Sequence, residues 1–449
     1  MRIPSAAVRP LRLLNRNSAR GEAISTVLRG AGVAMVIRVV GAGLAFATQV
    51  LLARWMGETE YGIFLFAWTF GLLLALPSSL GLTQAALRFV PQYLARGEWD
   101  RLSGVIRRFR SLVSVGALVG AGAGAGVVFS LGEKIEAYYV LPLYLAMAAV
   151  PMFALLNLYS EFARGFGWLG LAFTPQMIVS PLLLLGGVWL LVTLGWTSTG
   201  TSVLGITCIV SLVVISAQAI VFERRLPLEC RQVRPAYRTR DWLRVALPLL
   251  LREGFIVLLV YTDILMLGAL KGPDDVAVYG AAAKCASVMR LIFFAMSATS
   301  VPHFAALHAQ GRHEELRSFV QSVIRWIFVP SLLVAAGLLA FGKPMLGLFG
   351  PTFVEGYTVL SIMVAQNLLF AAVGPALSLL EMTGNQDASA VACAGTAIAN
   401  VALNAALIPS HGILGAAMAT AISSVLLSIA TVVLVKRRLG IFSVISPVH

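Results

Sequence analysis

Residues 165–222 read GFGWLGLAFTPQMIVSPLLLLGGVWLLVTLGWTSTGTSVLGITCIVSLVVISAQAIVF, 58 positions without an Asp, Glu, Lys or Arg. A helix that crosses a bilayer takes about 20 mostly apolar residues, so this run holds two crossings. The place to turn is Gly195-Trp196-Thr197-Ser198-Thr199-Gly200, where glycine and small polar residues favour a break. The run from Ala388 to Val435 has the same character, with its break at Pro409-Ser410-His411-Gly412. Outward from these two anchors, apolar segments fall at 30–53, 61–87, 111–132, 137–160, 245–270, 276–301, 318–342 and 356–380. With 166–194, 201–222, 388–408 and 412–435 they predict twelve transmembrane helices in an all-α polytopic membrane protein.

Composition agrees. Of 449 residues, 59% are hydrophobic and 12% charged, about half the charged share of a soluble domain, and mean hydropathy is +0.87. An ordinary soluble enzyme is excluded. Thirty-four Lys and Arg against twenty Asp and Glu give +14, but the cations sit in loops between apolar runs, as loops facing an anionic cytoplasmic leaflet do. No nucleic-acid partner is implied. Counted over alternate loops, 26 cations fall on one side and 4, Arg54, Lys134, Lys271 and Lys343, on the other. That asymmetry predicts both termini in the cytoplasm. Residues 1–29 have no compact apolar core or cleavage site and read as a retained basic tail. The four cysteines and five histidines show no disulfide or metal spacing.

The chain also repeats itself. Gly57-Glu58-Thr59-Glu60-Tyr61-Gly62-Ile63-Phe64 aligns with Gly272-Pro273-Asp274-Asp275-Val276-Ala277-Val278-Tyr279 at an offset of 215, each a short acidic loop between two spans. Gly97-Glu98-Trp99-Asp100-Arg101-Leu102 aligns with Gly311-Arg312-His313-Glu314-Glu315-Leu316 at an offset of 214. The division that follows is a basic cytoplasmic tail 1–29, an N-lobe 30–222 with helices 1 to 6, and a basic connector 223–244 that, with Pro227 and Pro235, is the natural hinge. A C-lobe 245–435 with helices 7 to 12 and a cytoplasmic tail 436–449 complete it. Two six-helix lobes in parallel repeat suggest a transporter with a site between the halves that opens alternately to each side.

Ala53-Arg54-Trp55-Met56-Gly57-Glu58-Thr59-Glu60-Tyr61-Gly62-Ile63-Phe64, followed by Gly81-Leu82 and Arg88-Phe89-Val90, resembles the amino-terminal signature of bacterial polysaccharide-biosynthesis membrane proteins. These are the oligosaccharide-lipid flippases, the polysaccharide transporter branch of the multidrug/oligosaccharidyl-lipid/polysaccharide exporter superfamily. Asp263-Ile264-Leu265-Met266-Leu267-Gly268, Asn400-Val401-Ala402-Leu403-Asn404 and Gly412-Ile413-Leu414-Gly415-Ala416-Ala417-Met418-Ala419-Thr420 are similar to its carboxy-terminal pattern. The resemblance spans nearly the whole chain after the tail. It implies two lobes around a central cavity, the bacterial cytoplasmic (inner) membrane, and a polyprenyl-pyrophosphate-linked glycan as cargo. Other implied partners are membrane lipids, a coupling proton or sodium ion, and polysaccharide assembly machinery. Some members have fourteen helices, and this chain lacks the extra pair.

Ionisable groups inside a span are costly and call for a wet or paired environment. Arg38 lies about 14 Å along the first helix from Arg29, too deep for easy snorkelling. Arg252 and Asp263 share a face of the seventh helix through Ile256 and Leu259, while Glu253 points about 100° away. Lys284 and Arg290 in the eighth helix differ by about 120°. Arg88 stands at the inner mouth. The substrate-binding candidates are therefore Arg38, Arg252, Lys284, Arg290 and Arg88, whose cations suit a pyrophosphate. Asp263 and Glu253 are candidates for ion coupling or charge balance, Glu253 equally for a structural pair. Glu161 and Arg164 read as an i, i+3 salt bridge.

Other features read as structural. Gly116, Gly120 and Gly124, with Gly122 and Gly126, have the spacing of close helix packing. Asn400 and Asn404, one turn apart, suit interhelical hydrogen bonds or a cavity wall. Trp55, Tyr61, Trp68, Trp99 and Trp242 suit interfacial anchoring. No Gly-Lys-Ser/Thr phosphate loop occurs, so ATP hydrolysis is not expected and no cofactor or metal is implied. Two other classes stay open: a multidrug or cation antiporter, which calls for more acids than cations in its cavity, and a membrane glycosyltransferase or polymerase, which calls for a large outer loop.

Overall fold

The computed structural model describes residues 16–441, and every regular element among them is helical. The N-terminal half comprises α1 (Arg16–Met56), α2 (Glu58–Ser78), α3 (Leu82–Arg96), α4 (Trp99–Leu131), α5 (Ala137–Gly165), α6 (Leu169–Thr174), α7 (Ser180–Thr193) and α8 (Gly200–Arg225). A short α9 (Leu228–Gln232) precedes α10 (Thr239–Leu270). The rest is α11 (Pro273–Ala286), α12 (Val288–Ala309), α13 (His313–Gly347), α14 (Tyr357–Val373), α15 (Ala376–Met382) and α16 (Gln386–Leu439). Ten helices among the described residues are long and apolar enough to cross a membrane. That number leaves out α10, which is 32 residues long and carries Glu253 and Asp263.

Several spans are interrupted where the apolar pattern is continuous. The segment 61–87 becomes two helices, because the chain turns through Leu80 and Gly81, both at positive φ. Segment 276–301 breaks at Ser287, and 356–380 at Gly374-Pro375, where proline offers no backbone N–H. A π-helical turn, Pro175–Val179, separates α6 from α7. Within α16, Gly412 adopts φ 55° and ψ −130°, outside any helix and ordinary only for glycine. The two arms of α16 fold back on each other there. Asn400 Nδ2 donates to Thr420 Oγ1 at 3.3 Å, and Gly415 lies against the Leu407 carbonyl.

α1–α8 form one bundle and α11–α16 another, and the lobes meet mainly where α2 crosses α11. Gly62 approaches the Pro273 carbonyl so closely that a Cβ would stand 1.8 Å from its oxygen. Leu65 fits over Gly280, and Thr59 Oγ1 donates to Asp274 Oδ1 at 2.6 Å. Thr59 is the repeat counterpart of Asp274, and Leu65 of Gly280. Equivalent positions can touch each other only on a twofold axis, so the pseudo-axis of the duplication runs between α2 and α11.

Loops sort to two ends of the bundle. At one end Arg54 donates to the Leu348 carbonyl at 2.5 Å, Lys271 to the Pro409 carbonyl at 2.9 Å, and the Gly200 amide to Glu60 at 2.6 Å. The basic loops gather at the other. There the connector is not a loose hinge. α8 continues to Arg225, α10 begins at Thr239, and the strand of chain between them is strapped to α4, with the Ala236 amide donating to the Asp100 carbonyl at 3.0 Å. Trp242 is 0% exposed and its Nε1 donates to Tyr93 Oη at 3.1 Å. It is a core residue and not an interfacial anchor. Tyr61, also 0% exposed and donating to Gln49, is another.

Of the small residues on α4, Gly116 and Gly120 press on Ser78 at the end of α2, and Gly124 on Leu74 and Met147. Gly122 and Gly126 have open space beside them. Beginning in the N-lobe, α10 has its Ala246 carbonyl against Gly81 and its Glu253 carboxylate on Gln84 at 3.3 Å. Its later half packs along α16 in the C-lobe.

Candidate functional site

Each lobe encloses a cavity. The one in the C-lobe, about 440 Å³, is walled by α10–α16, with Ile256, Leu259 and Asp263 of α10 on one side and Arg290, Asn367, Asn400 and Thr420 among the polar groups opposite. Asp263 is 3% exposed. Its Oδ2 accepts from Tyr279 Oη and Thr420 Oγ1, both at 2.5 Å, and its Oδ1 accepts from Asn404 Nδ2 at 2.8 Å. No ammonium or guanidinium among the described residues is ion-paired to it. A buried carboxylate without a cation survives only if hydrogen-bond donors replace its hydration, and three do so here.

Asn404 is itself 0% exposed, and its Oδ1 has no hydrogen-bond partner among the described residues. A carboxylate, an amide oxygen and two hydroxyls within one buried cluster form the hard-oxygen set that suits a proton or a small cation. Tyr279 and Thr420 were not picked out from sequence as partners. Both lie in stretches quoted for the repeat and the family resemblance, but 16 and 157 residues from Asp263.

The N-lobe cavity, about 300 Å³, is lined by Thr48, Gln49, Phe64, Trp68, Asn157 and Gln176 among others. At the repeat offset, Thr48 corresponds to Asp263 and Phe64 to Tyr279. Gln176, on the π-helical turn, donates to Asn157 at 2.9 Å. Trp68 is thus a cavity wall rather than an interfacial anchor.

A second polar group gathers where α1, α5 and α6 of the N-lobe stand near α10. Arg38 is half-buried with its guanidinium 4.4 Å from the Phe173 ring centroid. Arg164 shares that ring at 5.7 Å and pairs with Glu161 at 2.8 Å. Arg38 and Glu253 lie within electrostatic range of Glu161. Arg88 is exposed on α3, one turn after Gln84, the residue that holds Glu253. The side chain of Arg252 lies outside the described residues, as does the chain before Arg16 and after Ile441.

Lys284 belongs to the α11 stripe of Pro273, Ala277 and Gly280 that faces α2, one turn beyond the point of contact. Its side chain is exposed. Arg290, by contrast, faces the C-lobe cavity. The structure therefore gathers Arg38, Arg164 and Glu161 around Phe173, sets Glu253 on Gln84 one turn from Arg88, leaves Lys284 exposed on α11, and puts Arg290 and Asp263 on the C-lobe cavity.

Residues 27–308 match the polysaccharide biosynthesis protein family, and residues 248–406 match MatE. The chain is 23% identical over 400 residues to a probable low-salt glycan biosynthesis flippase, Agl15, of Haloferax volcanii, covering 86% of this chain and 79% of that one. Among solved structures, an inward-facing multidrug resistance MATE family transporter of the MOP superfamily superposes with a TM-score of 0.70 at 16% identity, covering 90% of this chain and 94% of the other. The lipid II flippase MurJ in an inward closed conformation gives 0.67 at 14% identity, covering 90% and 87%. At these identities the structural likeness speaks for the fold.

Proposed function

The chain belongs to the polysaccharide biosynthesis protein family, a family of multi-pass membrane proteins, and on that premise we propose a flippase for a polyprenyl-pyrophosphate-linked oligosaccharide. The cargo is the repeat unit of an O-antigen, capsule or exopolysaccharide, moved from the inner to the outer leaflet of the bacterial cytoplasmic membrane. Twelve spans, with α10 and both arms of α16 counted among them, leave both termini in the cytoplasm. The N-lobe 30–222 and C-lobe 245–435 rock about the axis between α2 and α11, so that the cleft opens to each side in turn. No covalent step is involved.

What supports this reading is the family match together with a set of cations outside the two chambers, Arg38 and Arg88 on the N-lobe and Lys284 on the face of α11 toward α2. Lys284 forms no ion pair among the described residues. Guanidinium and ammonium groups there would hold the pyrophosphate while the sugars occupy the polar lumen and the polyprenyl chain stays in lipid. Asp263, in its chamber of oxygen ligands, takes the coupling proton or sodium ion, with Arg290 across the same cavity balancing charge. Glu253 serves as a brace to Gln84. A multidrug antiporter would need the opposite balance, acids in excess of cations along the cleft.

Leaflet translocation in proteoliposomes tests the proposal, comparing wild type with Arg38→Ala, Arg252→Ala and Lys284→Ala. Losses of at least tenfold in the variants, with thermal stability retained, are expected. Equal rates in all four proteins would remove the phosphate site.

A further inference from the structure

A third cavity lies outside both chambers and the cleft, at the end of the bundle that carries the basic loops. It measures about 330 Å³ and sits between α4 and the start of the connector. Arg107 and Arg110 of α4 and Arg231 of α9 line it, with Ser103, Glu223 and Cys230 between them.

Two of the three guanidiniums are fixed. Arg110 Nη1 donates to Glu223 Oε1 at 2.7 Å and to Tyr159 Oη at 3.4 Å, and Arg231 donates to the Glu223 carbonyl. Arg107 is exposed and makes no hydrogen bond or ion pair among the described residues. Burial pushes the Cys230 thiol up to about 11, so it adds no negative charge. One carboxylate against three arginines leaves the cavity two charges positive.

The fold does not require this arrangement. At the repeat offset of 214, Arg107 corresponds to Gln321 and Arg110 to Ile324 of α13, so the C-lobe has the helix without the cations. Nor do the two chambers use it, since none of its lining residues lines either of them. The cavity stands where α4 passes from its charged first turns into its apolar span, and Leu228 on α9 beside it is 64% exposed. An apolar side chain next to fixed arginines at that level matches the boundary between acyl chains and headgroups.

We propose that this cavity binds a phosphate-bearing ligand through Arg107, Arg110 and Arg231, at the level of the lipid headgroups. Planar, permanently charged guanidiniums, two of them held in place and the third free to close on the ligand, bind phosphate oxygens through paired hydrogen bonds, and Leu228 lies alongside the acyl chain where the phosphate belongs to a lipid.

The full-length protein in a neutral detergent provides the test, with its thermal unfolding followed by tryptophan fluorescence. Phosphatidylglycerol, phosphatidylcholine and inorganic phosphate are added in separate arms. Phosphatidylglycerol is expected to raise Tm by about 3 °C or more beyond phosphatidylcholine, and Arg107→Gln to remove at least half of that difference. Arg231→Gln should do the same, while Arg312→Gln, at an exposed site on the far lobe, should keep it. Inorganic phosphate reproducing the shift in wild type but not in Arg107→Gln assigns the cavity to a soluble ligand. The proposal is overturned if no arm separates from phosphatidylcholine, or if Arg107→Gln responds as wild type does. Because Arg107 holds no partner among the described residues, its replacement leaves the fold intact and the outcome readable.

Discussion

Thr48 in the N-lobe and Asp263 in the C-lobe occupy equivalent places in the duplication, and each borders the cavity of its own lobe. Around Asp263 the chain supplies Tyr279, Thr420 and Asn404 as donors. Around Thr48 the counterpart of Tyr279 is Phe64, and the Thr48 hydroxyl donates to the Leu44 carbonyl of its own helix at 2.8 Å. The backbone has been kept and the chemistry has not. A carboxylate in such a place needs its donors at the same time, because each missing partner leaves charge uncompensated in a dry interior. The two chambers therefore differ by a set of residues and not by one, and among the described residues it is the C-lobe chamber that carries a buried carboxylate ringed by donors.

The largest effect should come from removing that difference at its centre. Asp263→Asn is expected to lower translocation at least tenfold and to flatten its dependence on pH and sodium, read in proteoliposomes with an imposed gradient. Unchanged transport with an unchanged pH profile would exclude a coupling role. Next in size is the converse change. Thr48→Asp places a carboxylate where Phe64 cannot donate, at a cost of about 3 kcal/mol measured as lowered stability to denaturant, and adding Phe64→Tyr should restore part of it. A Thr48→Asp protein as stable as wild type would show that the N-lobe chamber already accommodates charge. The smallest effect belongs to the axis itself. Thr59→Val removes one exposed hydrogen bond to Asp274 and should change stability by about 0.5 kcal/mol or less, while Gly62, with no room for a Cβ, remains to hold the crossing.

The apolar runs and the repeat were legible because spans in lipid must be long and uncharged, and because the acidic loops at Gly57 and Gly272 kept their spacing. The repeat even located the axis, once Thr59 and Asp274 were found in contact. The breaks were less readable. Ser287 interrupts a run without a local glycine or proline, so nothing in the local sequence marks the division into α11 and α12. Asp263 stood out as a charge in an apolar helix, but its partners Asn404 and Thr420 lie 141 and 157 residues away, beyond any local pattern. Tyr61 and Trp242 read as interfacial anchors since aromatic rings near helix ends usually are. Their complete burial is decided by neighbours from other helices. The connector, rich in arginine and proline, read as a hinge, yet hydrogen bonds to α4 fasten it.

With the connector fastened, relative motion of the lobes has to be absorbed elsewhere, and α10 is where it falls. Its first turns are clamped by Trp242 and Ala246, its last by the contacts of Asp263, and between the clamps Pro248 withholds the amide that would otherwise bind the Arg244 carbonyl. A rod gripped toward both ends and softened just past the first grip does not swivel; it flexes. Any swing of one bundle against the other is thus recorded as curvature in a single continuous helix, and the elastic restoring force of that bend favours whichever posture leaves α10 straightest.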